Sequence, residues 1–336
     1  MINIGILGCG RIGQVHARSI SKVQGARIFA VADAFPAAAD ALAASTGAIV
    51  KSADDLIANT DIQAVVIGTP TDTHFDLIQA AAQAGKAIFC EKPVDMSADR
   101  IRDLMAIVAK TGVPFMTGFN RRFDTNFANV RARIAAGQIG AVEIVTILSR
   151  DPNPPPVSYI KSSGGIFRDM MIHDFDMARF LLGAEPVMVF AVGSALVDPE
   201  IGAAGDVDTA AVTLTTASGQ ICQISNSRRA TYGYDQRVEV HGAGGMLRAA
   251  NVLENTVEIG TADGFGTAPT LNFFLERYEG AYRREMDMFV AALVDGTPMS
   301  PTIEDGLRAQ VIADAAAESL RTGLPVLLYT HTPELN

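Results

Sequence analysis

One hexapeptide near the start constrains this chain more than any other feature. Gly8-Cys9-Gly10-Arg11-Ile12-Gly13 stands between an apolar run at 2–7 and a helical pattern at 12–23. The run, ended by glycine, reads as a buried strand, and Ile12, Val15, Ile20 and Val23 fall on or near one helical face. In that setting the first glycine permits the turn, the second lets backbone approach a pyrophosphate, and the third lets helix and strand pack closely. The free amides and dipole at the helix start then favour phosphate. Asp33 follows Gly13 by 20 residues, at the end of the next apolar run. A carboxylate there accepts hydrogen bonds from both ribose hydroxyls and repels a 2′-phosphate, so the expected cofactor is NAD rather than NADP. The bland alternatives are a tight turn and a solvated strand end.

The same alternation fills the first third of the chain. Apolar runs at 27–32, 64–67, 87–90 and 113–117 interleave with helical patterns at 36–44, 73–84 and 98–110, the last preceded by Ser97 as an N-cap. Continuous apolar strands separated by helices predict an α/β fold, a doubly wound parallel sheet of Rossmann type. After about 120 the pattern changes. A helix at 123–136 and a strand at 142–149 precede a proline-rich loop at 151–156 and a helix at 172–182. Strands follow near 187–197, 207–216, 220–228, 235–241 and 252–259, with turns at 217–219 and 242–245, and helices return at 272–294 and 303–321. This predicts a second, α+β domain with an open, mostly antiparallel sheet. The expected division is 1–121 for the NAD-binding domain and 122–336 for the substrate and oligomerisation domain.

Composition narrows the function. The 336 residues are 49% hydrophobic and 19% charged, which excludes a disordered chain, and the net charge of −10 argues against a nucleic-acid partner. Cys9, Cys90 and Cys222 are too far apart for a zinc site or a disulfide framework. The first residues have no basic leader, and no apolar stretch reaches the ~20 residues a membrane span needs. A soluble, cytoplasmic protein without a membrane partner is expected.

Two further segments point to chemistry. Glu91-Lys92-Pro93 ends the apolar run 87–90, and open α/β sheets bind ligands beyond the carboxyl ends of their strands. Gly164-Gly165 precedes Asp169, His173 and Asp176. Asp169 and His173 are four apart and share a face if the segment is helical. An imidazole with carboxylates on either side is a general-base candidate, and the diglycine would let backbone approach a ligand. No metal is expected, because alcohol oxidation by a nicotinamide needs none where lysine and histidine are both present.

These motifs, with Thr69-Pro70 and His74, make the chain resemble the glucose–fructose oxidoreductase, inositol dehydrogenase and rhizopine-catabolism family over nearly its whole length. Stretches at 118–123, 149–156, 227–235 and 274–278 are similar to its bacterial inositol-oxidising branch. The resemblance implies an NAD-dependent oxidoreductase acting on a cyclic polyol, myo-inositol first, with scyllo-inositol or a pyranose sugar as alternatives. A non-catalytic dinucleotide-sensing regulator is the distant one. It implies Lys92, Asp169 and His173 as the catalytic group, His173 taking the proton. It places Arg122, Asp151, Asn153 and Tyr232 toward the polyol, with Tyr234 competing for the last role. Thr69, Pro70, His74, Glu91, Lys92 and Asn120 fall on the cofactor side with Gly8, Gly10, Arg11, Ile12, Gly13 and Asp33. A homotetramer formed through the open sheet face is implied as well. Val212, Leu214, Ile221 and Ile224 are candidates for that face, or equally for the domain's own core.

Overall fold

The computed structural model describes residues 1–328, which divide into two compact units: 1–123 with 279–310, and 124–278 with the chain from 311 onward. The expected boundary at 121 put everything later into the second domain. The structure returns 279–310 to the first unit, and the end of the expected second domain, 329–336, lies outside the described residues.

The first unit alternates strand and helix: β1 (Ile2–Leu7), α1 (Arg11–Ile20), β2 (Ala26–Ala32), α2 (Pro36–Thr46), β3 (Ile49–Val50), α3 (Ala53–Ala58), β4 (Ala64–Ile67), α4 (His74–Gln83), β5 (Ala87–Glu91), α5 (Ala98–Thr111) and β6 (Phe115–Gly118). All paired strands run parallel in the order β3-β2-β1-β4-β5-β6. The order reverses between β1 and β4, and the carboxyl ends there form the crevice in which such sheets bind ligands. Every residue of β4 and β5 is buried, as continuous apolar runs between two helical layers must be. Ser97 caps α5 by accepting from the Arg100 amide, as its position in the sequence predicts.

The second unit begins with α6 (Thr125–Ala135), β7 (Val142–Arg150), α7 (Val157–Ser163), α8 (Gly165–Asp169), α9 (Ile172–Leu182), β8 (Pro186–Ser194) and α10 (Pro199–Ala203). Strands β9 (Thr209–Thr216), β10 (Ile221–Ser227), β11 (Asp235–Gly242), β12 (Gly245–Ala249), β13 (Glu258–Thr261) and β14 (Gly264–Thr267) follow, then the short α11 (Phe274–Arg277). The chain closes with α12 (Glu279–Asp295), α13 (Ile303–Thr322), divided between the units after Gln310, and β15 (Val326–Leu327). The seven-stranded sheet has the order β12-β11-β7-β10-β9-β8-β15, antiparallel except for the β7–β10 pair. Helix α9 packs on β7 and β10. Of the four candidates for the open face, Val212, Leu214 and Ile224 are buried and Ile221 is exposed.

Other departures have local causes. Of the strand expected at 252–259 only the end is present, as the start of β13, which pairs with β14 apart from the large sheet, and Asn251 marks where the chain leaves that sheet after β12. Its side chain accepts from the Gln236 amide and donates to Asp235, taking the place of a ladder partner. The helix expected at 272–294 is two, α11 and α12, separated by Tyr278 in a non-helical conformation. Helix α12 belongs to the first unit because Met286, Phe289 and Val290 complete its core with Ile4, Ile6 and Phe89, and Phe289 meets Phe89 edge-on at 5.7 Å.

Candidate active site

The fingerprint glycines are where side chains cannot fit. Gly8 has φ +93°, and a Cβ there would stand 2.7 Å from the Gly68 carbonyl and the Thr69 amide, so the loops after β1 and β4 touch through backbone. A Cβ on Gly13 would collide with the Gly8 carbonyl oxygen, which fixes how closely α1 approaches β1. Gly10 is the N-cap of α1, exposed, with no side-chain cap hydrogen bond and nothing within 4 Å of a would-be Cβ. Arg11 is exposed and Ile12 half-buried in the first turn. The Asp33 carboxylate, at the end of β2, accepts from the Cys9 amide at 2.6 Å and the Phe35 amide at 2.8 Å. It is thereby locked beside the glycine loop. Burial, then the charge of Asp33, pushes the Cys9 thiol up to about 11, so Cys9 stays protonated and inert. A helix start capped by an exposed glycine, a glycine cradle and a fixed carboxylate at the next strand end fit a dinucleotide.

His74 behaves differently from its expected role on the cofactor side. The ring is 1% exposed, Nδ1 lies 2.9 Å from the Pro93 carbonyl and Nε2 lies 3.0 Å from the Thr69 carbonyl. Burial lowers its pKa despite those carbonyls. The imidazole ties the loop after β4 to the loop after β5 and presents its polar atoms to main chain. Thr69 is half-buried and accepts from the Thr73 hydroxyl, and Pro70 is exposed. Lys92 is half-buried just past β5. Glu91, whose side chain turns inward, accepts from the Lys92 amide at 3.2 Å and meets His16 Nε2 at 2.7 Å. Asn120 is buried, and Arg122 donates to Asp305 at 2.9 Å, so part of its guanidinium is held by the start of α13.

In the second unit Asp169 and His173 are not on one helix. Helix α8 ends at Asp169 and α9 begins at Ile172. The Met170 and Met171 amides both bond the Ile166 carbonyl, which breaks the regular ladder between them. Asp169 is held from two sides: Tyr159 donates to Oδ1 at 3.0 Å, and both terminal nitrogens of Arg228 reach Oδ2 at 3.3 Å. The Arg228 side chain is 1% exposed and that of Asp169 is 16% exposed, so a buried cation backs a carboxylate that reaches the surface. His173 is half-buried in the first turn of α9, followed by the buried Asp174, which accepts from Asn226 at 2.7 Å. The diglycine brings backbone against a protein carboxylate. Gly164 and Gly165 have φ +84° and +81°, and a Cβ on Gly165 would stand 2.7 Å from Asp206 Oδ1. Asp151 is half-buried and Asn153 exposed on the loop after β7. Tyr232 is half exposed and donates to Asp235 at 2.6 Å, whereas Tyr234 is buried edge-on against Tyr278. Burial would raise the Asp235 carboxyl, but bonds from Arg237, Tyr232 and Asn251 hold it below the usual range. An anchored carboxylate therefore fixes the Tyr232 hydroxyl.

Comparison with known proteins decides the family. Residues 2–119 match the model of the oxidoreductase family with an NAD-binding Rossmann fold, and 127–248 match the GFO/IDH/MocA C-terminal domain. The chain belongs to the GFO/IDH/MocA oxidoreductase family. It is 56% identical to the inositol 2-dehydrogenase of Rhizobium meliloti, over 95% of this chain and 97% of that one. It is 37% identical to a Bacillus subtilis scyllo-inositol 2-dehydrogenase (NAD(+)), over 97% and 96%. Among solved structures, a putative myo-inositol dehydrogenase from Sinorhizobium meliloti superposes with a TM-score of 0.96 at 54% identity, covering 98% of this chain and all of that one.

Within this GFO/IDH/MocA member, several polar residues escaped the sequence reading. Arg228 lay in a stretch already singled out, 227–235, yet nothing local marks it as the partner of Asp169, 59 positions away. The signal for His16 was its place on the buried face of α1 with Gly13, Ala17 and Ile20, where an apolar residue is the norm. Among the described residues no cluster of His, Cys, Asp or Glu could hold a metal, and no helix is long and apolar enough to cross a membrane.

Proposed function

We propose that this chain oxidises one ring hydroxyl of a cyclic polyol to a ketone, with myo-inositol as the first substrate, giving 2-keto-myo-inositol (scyllo-inosose). The observation that carries the reading is the 56% identity, over 95% of the chain, to an inositol 2-dehydrogenase. The relative named for scyllo-inositol supports that isomer as the second candidate.

Gly8, Gly10, Gly13, Arg11 and Ile12 line the phosphate end of the cofactor, and Asp33 takes the ribose. Thr69, Pro70, Glu91, Lys92 and Asn120 serve the nicotinamide end, His74 acting through the main chain it ties together. NAD+ supplies the hydride acceptor. His173 accepts the hydroxyl proton, which a neutral imidazole does readily near pH 7. The Lys92 ammonium stabilises the oxygen as negative charge develops on it. Asp169 orients the pair and favours the imidazolium that forms. Arg122, Asp151, Asn153 and Tyr232 hold the remaining hydroxyls, and prolines 154–156 restrict the loop that carries two of them. The protein is cytoplasmic and works as a homotetramer. Support for assembly is the open sheet face, on which Ile221 and Val192 stand exposed.

The test is paired substitution. Lys92→Ala and His173→Ala are each expected to lower kcat by about 1000-fold, the scale of losing a positioned acid–base or electrostatic group, while calorimetric NAD+ affinity stays within about threefold, roughly 0.7 kcal/mol. Near-normal kcat in His173→Ala would make that histidine structural.

A further inference from the structure

Beneath the catalytic strand end two buried polar residues, His16 and Glu285, take no part in the chemistry above. His16 is 0% exposed, on the face of α1 turned toward β5. Its Nε2 meets Glu91 Oε1 at 2.7 Å, and the other Glu91 oxygen, Oε2, accepts the Lys92 amide at 3.2 Å. The imidazole packs edge-on against Phe89 at 5.0 Å and Tyr282 at 5.8 Å. Glu285 lies one turn beyond Tyr282 on α12 and one turn before Phe289, which packs on Phe89. It is wholly buried, and neither of its oxygens has a hydrogen-bond partner. Burial, then the nearby Glu91 carboxylate, pushes the Glu285 carboxyl well above the usual range, so the neutral acid is favoured. Glu285 therefore adds no hydrogen bond to Glu91, whose two oxygens are met by His16 and the Lys92 amide.

We propose that His16 is a positioning residue for Lys92, acting through Glu91: the imidazole clamps the carboxylate, the carboxylate fixes the lysine's main chain, and the clamp ties the strand end to α1. The inference rests on Lys92 acting in the reaction. A buried ion-pair or hydrogen-bond partner this far inside would otherwise be a costly ornament, because burying polar groups is unfavourable unless the geometry returns the cost. Here it orders the one main-chain position from which the lysine leaves the strand. It also joins that position to the helix whose first turn carries the fingerprint, so the cofactor cradle and the lysine share one rigid support.

The test uses the full-length chain with myo-inositol and its C2-deuterated form. In His16→Leu, kcat is expected to fall about 100-fold, the scale of a misplaced catalytic group, with NAD+ affinity by calorimetry within about threefold. The deuterium isotope effect on kcat should rise. Hydrogen exchange should quicken at the Lys92 amide and leave the β1 amides unchanged, which a general loosening would not do. His16→Gln keeps an N–H for Glu91 and is expected to recover at least about tenfold of the lost kcat, roughly 1.4 kcal/mol. If His16→Leu does not fold, His16→Met takes its place, with faster Lys92 exchange and reduced kcat expected. Unchanged kcat, unchanged Lys92 exchange, or exchange that quickens equally throughout the first unit would overturn the proposal. Lys92→Met serves as control: if it remains active, the reading of Lys92 fails, whereas an inactive Lys92→Met beside a normal His16→Leu sinks the positioning role alone.

Discussion

The two units hold their candidate site residues by different means. In the first, most anchors are main chain, the exceptions being Arg122 on Asp305 and Glu91 on His16. Asp33 accepts two backbone amides, His74 spans two carbonyls, Glu91 takes the Lys92 amide, and the fingerprint loop touches the next loop through Gly8. In the second, side chains hold side chains. Tyr159 and Arg228 grip Asp169, Asn226 bonds Asp174, and Asp235 fixes the Tyr232 hydroxyl. Backbone anchoring leaves only one of the two partners open to substitution. Side-chain anchoring can be exchanged residue by residue. The lesson is a division of labour in which a fixed cofactor cradle is paired with a site that can be retuned without altering the sheet.

The sharpest way to break that contrast is at Arg228. Arg228→Met removes the buried cation behind Asp169 and keeps most of the volume. Turnover is expected to fall by roughly 100-fold, as for a mispositioned catalytic group, with NAD+ affinity by calorimetry unaffected. Arg228→Lys should recover only part of the loss, because an ammonium cannot reproduce the two-nitrogen contact. Normal turnover in Arg228→Met would mean that Asp169 is held without it.

A smaller effect is expected in the backbone-anchored unit. In Asp33→Ser the preference for NAD+ over NADP+, measured as the ratio of kcat/KM values, should drop by about tenfold, or roughly 1.4 kcal/mol. The lost repulsion toward a 2′-phosphate accounts for it. The hydroxyl can still accept the Cys9 amide, so the loop should survive and Tm should change little. An unchanged ratio would remove Asp33 from cofactor selection.

The same contrast explains what was readable in advance. The parallel sheet was legible because fully buried strands are apolar runs and the fingerprint fixes one turn between strand and helix. The end of β5 was legible because Glu91-Lys92-Pro93 follows such a run. Periodicity did not reveal that α12 returns to the first unit, since Met286, Phe289 and Val290 look like any amphipathic face until their partners are known. Pairs such as Arg228 with Asp169 and His16 with Glu91 join residues 59 and 75 positions apart, and no local spacing encodes them. The bounds of α9 were legible at 172–182, but the short α8 before it was not, because it opens at the diglycine and ends where Met170 and Met171 share the Ile166 carbonyl.

The central claim is that this chain passes a hydride from a cyclic polyol to NAD+. The most direct measurement is NADH formation at 340 nm by the purified full-length protein, with myo-inositol, scyllo-inositol, a pyranose sugar and an open-chain alditol presented separately with NAD+. The account predicts the highest kcat/KM with myo-inositol, a lower value with scyllo-inositol, and no turnover of the alditol. Robust reduction of NAD+ with the alditol, and none with either inositol or the pyranose, would contradict it.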